Sequence, residues 1–197
     1  DTQYKINNLR KIFAIFDVPE SELVFYLKDE DNSETVAGNR YEIRKKYWEY
    51  TLPQLKNAFS ENGLFGNVNP VTSNWIAGFV GIPGIHIDCV ANFDESRVEL
   101  YLGMASKEKN KELFGFLFAR KDNIEKVIGT QLIWSRMDDN KASKIHTFLP
   151  GVDISKDIDW PRMAKFHAEW SQKFYDVIVC NPPYKRDGNG LESELES

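Results

Sequence analysis

Apolar residues recur along this chain with two periods. Ile6, Leu9, Ile12, Phe13 and Phe16 fall near helical spacing and predict a short helix over residues 1–18. Pro19-Glu20-Ser21 breaks it, and Leu23-Val24-Phe25-Tyr26-Leu27 predicts a short strand over Glu22–Lys28. Residues 29–39 are acidic, polar and Gly-containing, which predicts a boundary. Helical spacing resumes over Arg40–Ala58, where Tyr41, Tyr47, Trp48, Leu52 and Leu55, with Phe59 just beyond, are candidate inward positions. Pro53 is expected to kink or split that helix, because it lacks an amide N–H and its ring crowds the preceding turn. Residues 60–72, with Gly63, Gly66, Asn67, Asn69 and Pro70, predict a loop.

The centre of the chain changes period. Asn74–Val80 predicts a strand, and Gly84–Ala91 and Arg97–Leu102 alternate as two strands joined through Asn92–Ser96. Ser106 is placed to cap a helix running to about Ile128, with Gly129 suited to its C-terminus. Thr130–Met137 and Ser143–Leu149 predict a second hairpin around Asp138-Asp139-Asn140. Pro161 opens a last helix to about Val179, with Trp160, Met163, Phe166, Trp170, Phe174 and Val177 inward. The expected fold is therefore α+β, a mainly antiparallel sheet built from two β-hairpins with helices packed against it. Three segments are expected: an N-terminal helix and strand extension (1–39), the α+β domain (40–179) and a disordered tail (180–197).

Composition narrows the partners. The chain is 42% hydrophobic and 13% aromatic, enough for one real core. A net charge of −5 argues against a strong nonspecific nucleic-acid binder, leaving only local basic patches. Cys89 and Cys180 make no metal-type spacing. The longest apolar runs fall far short of a membrane span. A cytoplasmic protein with reduced thiols and no membrane partner is expected.

Strand alternation then gathers chemistry. Ile85, Ile87 and Cys89 share one face of their strand, and His86, Asp88 and Val90 the other. On the next strand Val98, Leu100 and Leu102 face the core, while Arg97, Glu99 and Tyr101 face away. Paired antiparallel, the hairpin would collect His86, Asp88, Arg97, Glu99 and Tyr101 on one surface. Asp and Glu on adjacent strands are how many nucleases hold Mg²⁺. The usual Lys two residues after the Glu is Tyr101 here, so no metal is expected. A solvated face of cross-strand ion pairs, or a surface for a partner or nucleic acid, stays open. Arg136, Lys141 and Lys144 on the second hairpin, with Arg40 and Arg44 on the helix, form the basic clusters able to meet phosphates. His146 shares a face with Lys144. The histidines His86, His146 and His167 share no metal spacing and read as hydrogen-bonded residues.

Two resemblances join these residues. The first rests on Arg40-Tyr41, Asn74-Trp75, Gly84-Ile85-His86, Arg97-Val98-Glu99-Leu100-Tyr101 and Asn110-Lys111. It continues through Ile124-Glu125, Leu132-Ile133-Trp134, Arg136, Lys141-Ala142-Ser143-Lys144-Ile145 and Trp160-Pro161. Over about 40–178 the chain resembles the bacterial family called domain of unknown function 4268. Such domains occur behind nuclease-like domains or beside restriction–modification genes. The resemblance implies an accessory or recognition role in DNA restriction or defence, without a reaction of its own, beside DNA or a nuclease or methyltransferase domain or subunit.

The second rests on Asp176-Val177-Ile178-Val179-Cys180 followed by Asn181-Pro182-Pro183-Tyr184, which resembles amino-group DNA methyltransferases. It implies that Asn181 and the Pro182 carbonyl accept hydrogen bonds from an adenine amino group. It further implies that Tyr184 stacks on a flipped base, with S-adenosylmethionine as donor. Phe79-Val80-Gly81-Ile82-Pro83-Gly84 is the nearest candidate for the cofactor loop, and Pro83 interrupts it. With 13 residues after Tyr184, a truncated or fused gene end is the expected explanation. No cofactor is expected, with an N6-adenine methyltransferase fragment or a degenerate metal nuclease as alternatives.

Overall fold

The computed structural model describes the backbone over residues 20–177, 184–187 and 190–193, and side chains over 39–177. The predicted helix at 1–18 lies outside these residues. The first described element is α1 (Glu20–Ala58), unbroken through Pro53. The strand expected at Glu22–Lys28 is thus helical: five apolar residues in a row fit a helix or a strand equally, and here the helix wins. Pro53 deprives the Glu49 carbonyl of its helical partner, but Glu49 is exposed and water can serve it. The chain divides into two compact units inside α1, residues Asp1–Glu42 and Ile43–Ser197.

The second unit is organised by an antiparallel sheet of β1 (Trp75–Phe79), β2 (Ile85–Ala91), β3 (Glu95–Leu102), β5 (Ser143–Pro150) and β4 (Ile133–Ser135), in the spatial order β1-β2-β3-β5-β4. The α+β expectation holds. The two hairpins do not stand side by side as separate units. They are fused, because β5 pairs along its whole length with β3, aligning Glu99 with His146 and Tyr101 with Lys144. Between them lie α2 (Lys107–Phe118) and α3 (Lys121–Ile128). One helix was expected there. Arg120 leaves the helical region at φ −108° and ψ 11°, so the chain breaks and restarts. Ser106 does cap α2, accepting from the Lys109 amide, and Gly129 ends α3 in the left-handed region. A 3-10 turn (Asp157–Asp159) leads into α4 (Trp160–Tyr175).

One sheet face is the core. Ile76, Ile85, Ile87, Cys89, Val98, Leu100, Leu102 and Ile145 are buried there against Tyr47, Trp48, Leu113, Phe114, Met163 and Phe174 from the helices. Phe174 is helical and buried, and Val177 packs against the same core. The ambiguous run at the end of the last helix therefore continues the domain as far as Val177. Residues 178–183 lie outside the described residues. Within the tail expected to be disordered, β6 (Tyr184–Asp187) and β7 (Gly190–Ser193) pair as a separate two-stranded antiparallel hairpin.

Polar groups buried beneath the sheet are locked. His167 Nδ1 meets the Tyr47 hydroxyl at 3.0 Å, and Nε2 meets Ser96 Oγ at 2.7 Å and the Val90 carbonyl at 3.2 Å. Ser96 Oγ donates to Val90, so the imidazole donates from Nε2 and accepts at Nδ1. Lys111, buried on α2, donates to the carbonyls of Arg136, Met137 and Ala142 and to Ser143 Oγ at 2.5–3.0 Å. That ammonium clamps the β4–β5 turn, where Met137 is held at φ 54°.

Candidate functional site

Alternation and register determine what the opposite sheet face displays. Pairing aligns Phe79, His86, Tyr101 and Lys144 in one row, Asp88, Glu99 and His146 in the next, and Trp75, Val90, Arg97 and Phe148 in a third. The His86, Asp88, Arg97, Glu99, Tyr101 cluster expected from sequence is thus assembled. Its surroundings differ from the expectation of a solvated face. A cavity of about 350 Å³ opens here, lined also by Asn74, Trp75, Val90 and Lys144. Asp88 and Glu99 are 7% and 6% exposed. Around this polar centre Trp75, Phe79, Ile133 and Phe148 remain exposed.

Each acid is held through one oxygen. His86 Nδ1 lies 2.5 Å from Asp88 Oδ1, a bond that two residues on the same strand face can make. The His86 ring stacks on Tyr101 across the strands, with centroids 4.7 Å apart. Lys144 donates to Glu99 Oε1 at 3.1 Å. Arg97 Nε sits 3.1 Å from Glu95 Oε1 and 3.4 Å from Glu99 Oε1 but makes an aligned hydrogen bond to neither. The second oxygens, Asp88 Oδ2 and Glu99 Oε2, make no hydrogen bond within the described residues. They are not sealed from the cavity either.

The electrostatics follow burial. Removal from water raises the Asp88 carboxyl above the usual carboxylate range, and nearby Glu99 adds to this; the bond and charge of His86, and Lys144, oppose it. His146 is lowered, first by burial and then by Lys144 and Arg97. Its Nδ1 is buried without a partner.

The basic cluster of the second hairpin divides. Lys144 is drawn into the cavity by Glu99. Arg136 and Lys141 stay exposed in the β4–β5 turn, with Arg136 3.3 Å from Asp138. Neither they nor Arg44 line the cavity. Arg40 is exposed in the first compact unit. The ammonium missing at position 101 is supplied from β5 instead, since Lys144 aligns with Tyr101. The described residues hold no group of three or more His, Cys, Asp and Glu side chains placed to hold a metal. Sequence reasoning missed Trp75 as a site residue. Its signal was an aromatic ring alternating onto the polar face of an edge strand.

One family model matches residues 43–180. The chain belongs to the family described as Domain of unknown function (DUF4268). No curated protein and no solved structure matches it. The residues that carry the family resemblance sort into two kinds. Asn110, Lys111, Glu125 and Trp134 hold the fold: Asn110 bonds both the amide and the carbonyl of Met104, and Glu125 accepts from the Leu132 amide and Trp134 Nε1. Trp75, His86, Arg97, Glu99, Tyr101 and Lys144 line the cavity. Of the methyltransferase-like motif, Asn181, Pro182 and Pro183 lie outside the described residues, and Tyr184 enters only as backbone of β6. No helix among the described residues is long and apolar enough to cross a membrane.

Proposed function

We propose that this domain is a recognition module of a bacterial DNA restriction–modification or defence system, cytoplasmic and non-catalytic by itself, which uses its open sheet face to meet nucleic acid. The observation that carries this reading is the cavity itself. Exposed aromatic rings flank it, and its floor offers hydrogen-bond acceptors and donors already held in place by one another. Such a surface suits an unpaired strand better than duplex phosphates, because stacking and edge contacts need splayed bases. Net charge near the floor is small: Lys144 and Arg97 face Glu99, Glu95 and Asp88. Weak duplex binding is therefore expected. A nuclease or methyltransferase subunit would supply the reaction.

Fluorescence anisotropy at low salt with labelled single strands and duplexes tests this. Trp75→Ala, at a half-exposed ring, should weaken single-strand binding about 5- to 100-fold while sparing the fold, the range for loss of one base–aromatic stack. No strand binding by the intact chain, or binding indifferent to Trp75, refutes it.

The degenerate nuclease alternative gains one feature, the Lys144 ammonium beside Glu99. That ammonium is spent on the acid itself, as His86 is spent on Asp88. Nicking of plasmid by the purified chain with Mg²⁺ or Mn²⁺, lost in Asp88→Ala, would favour the nuclease over the module.

A further inference from the structure

We propose that the sheet-face cavity is a guanine site: it takes one unpaired guanine base, edge-on to Asp88, Glu99 and Lys144 and stacked against Trp75. This rests on the reading of the face as a nucleic-acid surface and names what that surface reads. Three observations carry it. First, the order of groups across three adjacent strands is acceptor, acceptor, donor: Asp88 on β2, Glu99 opposite it on β3, and Lys144 from β5 bonded to Glu99. The Watson–Crick edge of guanine presents the complement in order, the N2 amino group, the N1–H and the O6 carbonyl. Adenine and cytosine each offer a single donor group on that edge, and thymine a single N–H flanked by two carbonyls. Second, the two acceptors needed are the two that the protein leaves unused. Asp88 Oδ1 and Glu99 Oε1 are taken by His86 and Lys144, while Oδ2 and Oε2 make no hydrogen bond within the described residues. Both oxygens open onto the cavity, so a ligand N–H can take the place of water there in a charge-assisted hydrogen bond. Third, the cavity of about 350 Å³ is in the range of small-ligand sites, and the half-exposed Trp75 indole offers a stacking surface at its wall. Lys144 has two further N–H groups after its bond to Glu99, enough for O6.

The base could arrive on a free nucleotide or within an unpaired strand, and the experiment separates the two. Isothermal titration of the whole chain with GMP, IMP, AMP and CMP holds the phosphate constant and varies the edge. GMP should bind at least about tenfold more tightly than IMP, which lacks only the N2 amino group, because a donor to a charged oxygen is lost. AMP and CMP should be weaker still. Asp88→Asn should reduce the GMP/IMP ratio to near one, and Trp75→Ala should weaken all four without changing their order. Glu99→Gln, at the acceptor for N1–H, serves as the second edge variant if Asp88→Asn unfolds, and should reduce the preference for GMP and IMP over AMP and CMP. Equal affinity for the four nucleotides, or a GMP preference unchanged in both edge variants, overturns the guanine site. A labelled oligo(dT) strand with one central dG should bind better than the same strand with dI. Strand binding without base preference leaves the recognition module standing and removes the guanine site. Selective GMP binding without strand binding does the reverse.

Discussion

Acidification should destabilise this domain chiefly through His167. The imidazole is fully buried, and removal from water lowers its pKa from 6.5 to about 4, despite the Val90 carbonyl, which favours the charged form. The neutral ring satisfies its surroundings: Nδ1 accepts from Tyr47, and Nε2 donates toward Ser96 and Val90. Burial raises the Tyr47 hydroxyl, so it stays a donor. A protonated ring would set a second N–H against that donor in a dry site. The unfolded chain binds the proton more tightly than the folded one. The stabilisation is therefore complete above about pH 6.5 and lost as pH falls toward about 4. A gap of that size is worth about 3 kcal/mol, at about 1.4 kcal/mol per unit, a large share of a total of about 5–15 kcal/mol. Urea unfolding from pH 7.5 to 4 should be compared for the wild type and His167→Gln, which cannot titrate. Asp88, raised by burial, acts in the opposite sense and His146, lowered by burial, in the same sense, but both are present in both chains and cancel in the difference. The wild type should lose about 3 kcal/mol more than the variant, mostly between pH 6.5 and 4. Parallel pH profiles would refute the assignment of the acid transition to this ring.

Other substitutions probe the frame around the site. Lys111→Met leaves the carbonyls of Arg136, Met137 and Ala142 without their donor and should cost about 2–4 kcal/mol in urea unfolding; a loss below about 1 kcal/mol would mean that water replaces the clamp. Gly84→Ala should cost more than Gly129→Ala by about 1–3 kcal/mol. Both residues have positive φ, but a Cβ at Gly84 would lie 2.6 Å from the Met104 Cα, whereas one at Gly129 meets nothing within 4 Å; thermal unfolding with equal losses would contradict this. Cys89 is buried with its thiol pushed up to about 12, so a thiol reagent followed by peptide mapping should leave it unlabelled in native protein and label it in urea. Labelling of Cys89 without denaturant would show that the core opens.

Much of the fold was legible because burial on one side imposes a period. Residues 84–91 and 97–102 alternate, so their faces followed from the sequence once they were paired as a hairpin, although β3 begins earlier, at Glu95, within the expected connection. Caps at Ser106 and Gly129 were legible for the same reason that they work: each residue supplies a local backbone need. Failures came where local signals are silent. Nothing in Ala119-Arg120 announces that α2 ends there, since neither residue opposes helix, and the restart is a tertiary decision. The run Leu23–Leu27 carries no period at all, so its helical state could not be told from a strand.

The site was half legible, and the missing half has one cause. Within a hairpin, register can be counted from the turn, which is why His86, Asp88, Arg97, Glu99 and Tyr101 could be grouped in advance. Lys144 belongs to a strand separated from Glu99 by two helices, and no local rule says which edge of the first hairpin a later strand will join. Read alone, Lys144 fell among surface cations with Arg136 and Lys141. Paired with β3, it becomes the partner of a buried acid and the lysine that position 101 lacks. The same joining explains why the face is a cavity and not a solvated hairpin surface. With β1 on one side and β5 on the other, Asp88 and Glu99 sit on two interior strands, where neighbouring side chains shield them from water and leave each with one oxygen to share. The set of polar groups gathered on this face is thus a property of the β3–β5 seam. A double-mutant cycle on Glu99 and Lys144 should give a coupling above about 1 kcal/mol, more than exposed ion pairs achieve. A coupling near zero would mean that the seam brings the two together without either holding the other.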